Sequence, residues 1–256
     1  MSIDYRGQVA KYYDACPVPF DDIGFYIGQI PHPQARVLEL GCGTGRVLIP
    51  MAEYCAYIHG LDASEAMLAV CRDKMQQANL SPDRAQVGVG DITDTDLGQR
   101  FGLITAPFRV MQNLATDAEV DGLFQCIHRH LAPGGKAILN VFRPYYDREQ
   151  MLLNWCRSEE RFNYEIPYED DRLERYDNFL RITADPLVCY PELIYRRYHG
   201  EELVDEVALA IPMRCYYPDE FLQLIEAHGF TVTDTWGGYA GEKYGDGGEL
   251  VVAFTA

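Results

Sequence analysis

The feature that most constrains this chain is the regular alternation of strand-like and helix-like segments between residues 36 and 142. Compact apolar runs predict five strands, at residues 36–40, 57–62, 85–89, 102–108 and 136–142. Helical patterns lie between them, at residues 46–54, 64–78 and 116–132. Because the connections are short, this alternation predicts parallel strands joined by right-handed crossovers, with helices on both faces of one sheet.

The pattern changes after residue 142. Residues 172–182, 193–198 and 202–211 predict half-exposed antiparallel strands, several of which alternate apolar with charged residues. A helix that starts at Pro218 and strands at residues 230–236 and 249–254 complete the chain. The predicted fold class is therefore α/β: a doubly wound, Rossmann-like seven-stranded sheet formed by residues 1–142 and 217–256, with an antiparallel β insertion at residues 143–216.

Charge and hydropathy narrow the classes of partner. The 256 residues include 22 Lys and Arg against 39 Asp and Glu, which gives a formal net charge of −17. A surface this negative repels phosphate backbones and anionic lipids, so we expect a small-molecule substrate and neither nucleic acid nor membrane as partner. No apolar run approaches the ~18 residues of a membrane span, and we expect no signal peptide at the first residues.

The eight cysteines are scattered through the chain without a Cys-x-x-Cys pair. This spacing predicts neither a disulfide framework nor a zinc site, and we expect no metal. Mostly buried thiols fit a reducing compartment, so the predicted location is the cytoplasm. The sequence leaves the oligomeric state open.

The segment Glu39-Leu40-Gly41-Cys42-Gly43-Thr44-Gly45-Arg46 follows the first predicted strand. Glycines at this point let the backbone turn tightly and let a ligand approach, and the next helix presents free N–H groups. Asp62 ends the second strand, where a carboxylate can accept both hydroxyls of a ribose. A nicotinamide-binding fold prefers glycine at the sixth position of the motif, and Arg46 occupies it, which disfavours a nicotinamide-dependent oxidoreductase.

The glycine segment resembles motif I of the class I S-adenosylmethionine-dependent methyltransferases. Three further segments are similar to that family's later motifs, in the same order: residues 59–68, 89–92 and 131–136. The resemblance implies S-adenosyl-L-methionine as cofactor and methyl transfer by in-line displacement as the reaction.

The same resemblance implies which residues hold the cofactor. Glu39 and the three glycines would hold the methionine part, Asp62 the ribose and Asp91 the adenine amino group. A tyrosine near the start of the chain would close over the cofactor. The complete expected set is Tyr13, Glu39, Gly41, Cys42, Gly43, Gly45, Arg46, Asp62, Ala63, Met67, Asp91, Ile92, Ala106 and Phe108.

Residues 106–114 resemble a subgroup of small-molecule methyltransferases in which histidine often occupies the position of Asn113. An asparagine amide cannot act as a base near pH 7, so the identity of any base stays open. The candidates for contact with the reacting groups are Tyr12, Tyr13, Arg109 and Asn113.

The insertion at residues 143–216 resembles the antiparallel lid that this subgroup places over the substrate pocket. Arginine suits a carboxylate or phosphate and tyrosine offers a ring with a polar tip, although both are also ordinary residues of a solvated sheet. The expected substrate-binding residues are Arg109, Asn113, Arg143, Tyr145, Arg196 and Tyr198. The predicted reaction is methylation of an N or O atom of a small molecule; the alternative is a non-catalytic module that binds S-adenosylmethionine.

Overall fold

The computed structural model describes residues 7, 9–157 and 159–256. The elements of the first half are α1 (Ala10–Tyr13), α2 (Ile23–Gly28), β1 (Arg36–Leu40), α3 (Leu48–Met51), β2 (Tyr57–Asp62), α4 (Glu65–Gln77), β3 (Ala85–Val89), β4 (Phe101–Ala106), a 3₁₀ turn (Val110–Asn113), α5 (Asp117–His130) and β5 (Leu131–Phe142).

The second half begins with an additional sheet and returns to the first one. Its elements are α6 (Arg148–Asn154), β6 (Arg161–Tyr168), β7 (Asp171–Ala184), β8 (Leu187–His199), β9 (Glu202–Ala210), β10 (Met213–Arg214), α7 (Pro218–Ala227), β11 (Thr231–Trp236) and β12 (Glu249–Thr255).

The first sheet has seven strands in the order β11-β12-β5-β4-β1-β2-β3. Strands β1 to β5 are parallel, and β12 runs antiparallel to both β5 and β11. Chain order reverses between β1 and β4, where ligands of doubly wound sheets bind at the carboxyl ends of the strands. The predicted fold class is confirmed.

Local sequence signals set several helix starts. The Ser64 side chain accepts a hydrogen bond from the Met67 N–H, and Thr116 forms a capping box with Glu119. Pro218 occupies the first turn of α7, where a missing N–H costs nothing. These three starts are as the sequence predicts.

Two layers of side chains cover the sheet. Helices α5 and α7 bury Phe124, Ile127, Phe221 and other apolar residues against one face, and α2, α3 and α4 cover the other. None of the helices in the described part of the chain is long and apolar enough to span a membrane. All eight cysteines are free thiols and six of them are buried, which confirms the prediction of mostly buried thiols.

Residues 143–216, which we call the lid, contain α6 and a second, antiparallel sheet in the order β10-β8-β7-β6, with β9 also paired to β8. The position and strand direction of the insertion are as predicted. The sequence prediction was wrong in detail: it omitted α6, β6 and β10, and it shortened β7 and β8.

Several element bounds in the first half also differ from the prediction, and β4 ends at Ala106 rather than at residue 108. The helix predicted at residues 46–54 is reduced to α3, and the chain then continues in tighter turns, with N–H groups of Glu53 and Tyr54 donating three residues back. Strand β5 begins at Leu131 rather than residue 136, because Leu131 pairs with Phe101 of β4 before a register shift.

Candidate cofactor and acceptor site

The loop after β1 has three glycines with positive φ: +70° at Gly41, +53° at Gly43 and +80° at Gly45. A Cβ at Gly41 would lie 2.5 Å from Val110 Cγ2, and one at Gly45 would lie 2.6 Å from Cys71 Sγ. A Cβ at Gly43 would meet no described atom within 4 Å. Two of the glycines therefore maintain the loop's own packing, and Gly43 is the one that leaves space for a ligand.

Glu39 lies in β1 directly before this loop and is only 2% exposed. Its Oε2 atom has no hydrogen-bond partner among the described residues, and neither has the hydroxyl of Thr105, its neighbour on β4. Burial raises the pKa of Glu39 well above its ordinary value. A buried carboxyl without a partner is costly, so this group fits a cationic ligand atom bound directly or through water.

Asp62 ends β2, as the sequence predicts, and its carboxylate is held by backbone groups. Its Oδ2 accepts the Gly43 N–H at 2.8 Å and its Oδ1 accepts the Ser64 N–H at 2.9 Å. Each oxygen retains a second lone pair for another donor. Asp62 thus joins the glycine loop to the end of β2, and ribose binding by the same carboxylate stays a prediction.

The residues predicted to surround the adenine lie at the ends of β2 and β3. Ala63 and Asp91 are exposed there, and Ile92 is half-buried. Asp91 Oδ1 accepts the Thr93 N–H at 2.9 Å and the Thr93 hydroxyl at 2.7 Å. Met67 is buried in the core and presents almost no surface to this edge.

The turn after β4 places two consecutive non-glycine residues in the left-handed region, Phe108 at φ 57° and Arg109 at φ 64°. Such backbone strain collects at functional sites. Hydrogen bonds maintain it here: the Arg109 N–H donates to Asn140 Oδ1 at 3.0 Å, and the Arg109 guanidinium pairs with the buried Glu249. Asn140 also donates to Glu249, at 2.9 Å. Neither Asn140 nor Glu249 was selected from the sequence.

The strained turn directs the Phe108 ring toward the N-terminal segment. Tyr13 meets it edge-on at a centroid distance of 6.4 Å, and Phe20 lies at 5.7 Å. The Arg46 guanidinium lies 5.2 Å from the same ring and forms an ion pair with the fully buried Asp22 at the start of α2. Arg46 therefore fastens the N-terminal segment to the glycine loop. Cys42 and Ala106, two further residues of the predicted set, are buried.

The two neighbouring amides of the 3₁₀ turn hold the lid to the first sheet. Asn113 donates to the Pro212 carbonyl at 3.1 Å. Gln112, which is fully buried, donates to the Arg214 carbonyl at 2.8 Å and accepts the Phe142 N–H at 2.7 Å. Asn113 is thus an anchor for the chain that returns from the lid. The sequence analysis does not predict a role for Gln112. The one signal for it in the sequence is its position next to Asn113.

Strand register divides the lid side chains between two faces. One face packs against α1 through a cluster that contains Tyr12, Leu173, Tyr195, Val207 and Leu209, and we call it the inner face. By the strand pairing it also carries Tyr164, Tyr168, Arg175, Arg197 and Asp205.

The two lid-strand residues predicted to bind substrate lie on the opposite, outer face. Arg196 forms ion pairs with Glu160 at 2.9 Å and with Glu206 at 2.5 Å. Tyr198 lies under the Arg172 guanidinium, 4.8 Å from its ring centre. The residues predicted from the sequence are thus shifted by one position along β8 from those of the inner face. Substrate contact by Arg196 and Tyr198 stays a prediction.

The two other predicted lid contacts lie near the connection to β5. Tyr145 is 88% exposed. Arg143 donates through Nε to the Gly247 carbonyl at 2.9 Å and so joins the lid to residues 237–248, the loop between β11 and β12.

The inner face combines one buried arginine with several tyrosines. Arg175 pairs with Asp177, donates to the Tyr195 hydroxyl at 3.4 Å and lies 5.0 Å from the centre of that ring. Burial raises the pKa of Tyr164 and Tyr195 above the ordinary value. These phenols therefore stay protonated near neutral pH and can donate hydrogen bonds to a ligand.

Comparison with known proteins points to one family. Residues 37–135 match the family described as "Methyltransferase domain". The dTDP-3-amino-3,6-dideoxy-alpha-D-glucopyranose N,N-dimethyltransferase of Streptomyces fradiae is 29% identical over 144 residues, which cover 53% of this chain and 54% of that protein. The chain thus spans about half the length of the curated relatives it matches.

Solved structures match the whole chain. The CcbJ methyltransferase from Streptomyces caelestis has a TM-score of 0.77 at 23% identity, covering 99% of this chain and 98% of that one. CalS10 with S-adenosylmethionine bound, an amino pentose methyltransferase from Micromonospora echinaspora, has a TM-score of 0.70 at 22% identity, covering 100% and 99%. Residues 37–135 thus match a methyltransferase domain, and the whole chain has the fold of the class I S-adenosylmethionine-dependent methyltransferases with an antiparallel sheet after β5.

Proposed function

We propose that this protein is an S-adenosylmethionine-dependent methyltransferase that methylates an amino group of a small, hydroxylated molecule such as an amino sugar. The curated relatives include three N,N-dimethyltransferases named for dTDP-linked amino sugars, and CalS10 is named for an amino pentose. The relatives also include an O-methyltransferase of Pseudomonas aeruginosa, so an oxygen acceptor is the second candidate.

The observation that carries the proposal is the buried carboxyl of Glu39, which lies in β1 directly before the loop that contains Gly43. The methionine part of the cofactor has an ammonium group that suits Glu39 Oε2, which has no hydrogen-bond partner among the described residues. Asp62 lies at the end of the next strand, where the ribose would be held. The fit is one of charge and space: among the described residues the buried acid has an oxygen without a hydrogen-bond partner, and the loop that follows it contains a glycine whose missing side chain leaves room.

The chemistry follows from alignment. When bound, the cofactor supplies a methyl group on a sulfonium, which is already a good leaving group. The chain's own residues have to orient the acceptor and exclude water, and positioning of this kind can supply roughly 7–11 kcal/mol of barrier reduction. Phe108 and Tyr13 form an aromatic wall at the carboxyl end of β4, where the acceptor would meet the methyl group.

A nitrogen acceptor is favoured over an oxygen acceptor because Asn113 cannot act as a base. Its amide donates a hydrogen bond to Pro212 and cannot remove a proton near pH 7. An amine that binds in its neutral form already has a lone pair for attack. An alcohol would have to lose its proton during the transfer and would need a base.

We place the acceptor beneath the inner face of the lid. Arg175 and Tyr195 lie there at low exposure, with hydrogen-bonding groups near the segment that carries Tyr13. Hydroxyl groups of a sugar-like acceptor suit phenols and a guanidinium better than an apolar pocket would. The net charge of −17 disfavours nucleic acid as substrate. The free thiols of all eight cysteines support a reducing, cytoplasmic location.

The experiment that tests this function has two parts. S-adenosylmethionine at ~100 times its dissociation constant should stabilise the protein by about 2.7 kcal/mol, which shifts the melting temperature by several degrees. Asp62→Ala should remove most of that shift. Mass spectrometry should then show one added methyl group on amino sugars but not on the matching sugars with hydroxyl in place of the amine.

The outcomes separate the alternatives. A shift with S-adenosylmethionine but no methylation of either set of sugars would favour a non-catalytic binding module. Methylation of the hydroxyl set would favour the oxygen acceptor. A shift with NAD and none with S-adenosylmethionine would refute the proposal and support an oxidoreductase.

A further inference from the structure

Helix α1 is fastened to the lid through Asp205 of β9. The Asp205 carboxylate accepts hydrogen bonds from the Tyr12 hydroxyl and from Lys11 Nζ, the latter at 2.7 Å. Tyr12 is fully buried, stacks on Tyr195 at 5.9 Å and meets Tyr168 edge-on at 5.1 Å. The Tyr168 hydroxyl donates to the Lys11 carbonyl at 3.0 Å. The lid thus binds both the backbone and the side chains of the first half of α1.

The other end of α1 is fastened to the glycine loop. Asp14, which follows the helix, accepts the Thr44 hydroxyl at 2.6 Å and Lys74 Nζ at 3.0 Å. Thr44 is fully buried and lies between Gly43 and Gly45. Tyr13, one residue before Asp14, meets the Phe108 ring. Residues 11 and 12 therefore contact the lid, and residues 13 and 14 contact the two loops at the carboxyl ends of β1 and β4.

A helix of four residues has no stability of its own. Its position is set by the two groups of contacts, so a change at one end displaces the other. Asp205 is the charged group that holds the lid end. Burial opposes its ionisation, yet the hydrogen bonds from Lys11 and Tyr12 and the nearby charge of Arg197 keep the pKa of Asp205 below its ordinary value. The carboxylate is therefore ionised near neutral pH and pairs with Lys11, whose side chain is half-exposed.

We propose that Asp205 is a positioning residue that couples the glycine loop after β1 (residues 41–46) to the lid through α1. This rests on the proposed function, because it takes the glycine loop as the site of S-adenosylmethionine. Ligand in that loop fixes Thr44 and therefore Asp14, and the helix passes the restraint to Tyr12 and β9. Cofactor binding would then stabilise the lid in the position that it has in this structure. By linkage, the coupling should fall in the range of roughly 5–150-fold.

Hydrogen–deuterium exchange with S-adenosylhomocysteine as the probe tests this coupling without a known acceptor. In the unaltered protein, saturating S-adenosylhomocysteine should slow exchange at residues 37–46 and, by at least ~5-fold, at residues 202–210 of the lid. In Asp205→Asn, protection of residues 37–46 should remain, whereas the ligand-dependent protection of residues 202–210 should fall below about 2-fold. A purely structural role would speed exchange of the lid with and without ligand and leave their ratio unchanged.

Matched variants sharpen the result. Glu206→Gln changes the next residue of β9, which lies on the outer face and pairs with Arg196, and should keep the coupling. Asp205→Glu should restore part of it. Asp14→Asn, at the other end of α1, should remove the coupling as Asp205→Asn does. If Asp205→Asn does not fold, Lys11→Met removes one donor from the same carboxylate and should weaken the coupling.

Two results would overturn the inference: full lid protection in Asp205→Asn, or no lid protection in the unaltered protein although residues 37–46 are protected. Absence of protection at both regions would instead refute the proposed function, because it would show that the glycine loop does not bind the nucleoside. The two failures are therefore distinguishable in one experiment.

Discussion

The carboxyl edge of the first sheet, where we propose that the cofactor binds and which we call the cofactor edge, differs from the lid in how its residues are placed. At the cofactor edge, each residue is placed by the end of a strand and the loop that follows it, as Gly43 and Asp62 show. In the lid, each residue is placed by strand alternation, so a shift of one position exchanges the inner face for the outer one. A local motif is sufficient to locate the first kind of residue. The second kind requires the register of the whole sheet.

The arginines of the lid illustrate the difference. Arg175 and Arg196 lie on adjacent strands and each pairs with acidic side chains. Arg175 lies on the inner face with Tyr195 and is 8% exposed, whereas Arg196 lies on the outer face. Residue type alone cannot separate them, because both are arginines in predicted strands. Their positions in the register give them different surroundings.

The largest effect we predict distinguishes two of the motif glycines, Gly45 and Gly43, by their contributions to stability and to cofactor binding. Gly45→Ala should lower the free energy of unfolding by about 2–5 kcal/mol, since it combines a left-handed backbone with a Cβ 2.6 Å from Cys71 Sγ. Gly43→Ala should cost only the backbone term of about 1–2 kcal/mol but should abolish the thermal shift with S-adenosylmethionine. Thermal melts with and without cofactor measure both.

If Gly45→Ala and Gly43→Ala behaved alike, the result would contradict the roles that we assign to them: packing of the loop for Gly45 and space for a ligand at Gly43. Equal losses of stability would mean that the space beside Gly43 is filled in the folded protein. An undiminished cofactor shift in Gly43→Ala would mean that the ligand does not approach the loop at that point.

The next prediction compares the two faces of the lid. Arg175→Gln should raise the KM for the amino acceptor by roughly 10–100-fold, the usual range for loss of a charged hydrogen bond. Arg196→Gln should change the acceptor KM by less than about 2-fold, because the Arg196 guanidinium forms ion pairs with exposed acids, which contribute little free energy. Steady-state kinetics at saturating S-adenosylmethionine measure both constants.

A control is needed because Arg175 neutralises Asp177. The double variant Arg175→Gln with Asp177→Asn removes both charges of the pair and should restore stability but leave the acceptor KM high. If the acceptor KM instead rises in Arg196→Gln and not in Arg175→Gln, the acceptor site lies on the outer face, as the initial choice from sequence implies.

The sequence was sufficient for the seven-stranded sheet because its signals are local. Strand ends, the Ser64 cap and the Thr116 capping box each occupy a few consecutive residues. Strand β6 was missed because its alternation is interrupted by Pro167 and by a register shift near Phe162. Helix α6 was missed because seven residues carry little periodicity, although Asp147 caps it in an ordinary way.

The contacts that the sequence could not predict join distant parts of the chain. Arg109 reaches Glu249, 140 residues away, and Tyr12 reaches Asp205, 193 residues away. Neither pair is marked by a local pattern, because each depends on the packing of the lid or of β12 against the first half. The sequence predicts Arg109 and Tyr12 as contacts to the reacting groups, and the structure gives both of them protein partners.

The smallest effect we predict concerns Glu39 and has the opposite sign in the free and bound protein. Because the pKa of Glu39 is raised on folding, the free protein loses stability as pH rises above the ordinary carboxyl pKa of about 4.3. Glu39→Gln lacks this loss, so its melting temperature should exceed that of the unaltered protein by about 2–4 °C at pH 8 and by less near pH 4. With S-adenosylmethionine the order should reverse, since the amide cannot pair with the ammonium group as a carboxylate does.

Glu53→Gln, which changes an exposed acid on the turn after α3, should show neither change. A higher melting temperature for Glu39→Gln in both states would mean that this buried acid has no part in holding the cofactor, and that the cofactor edge relies on Asp62 and the loop alone.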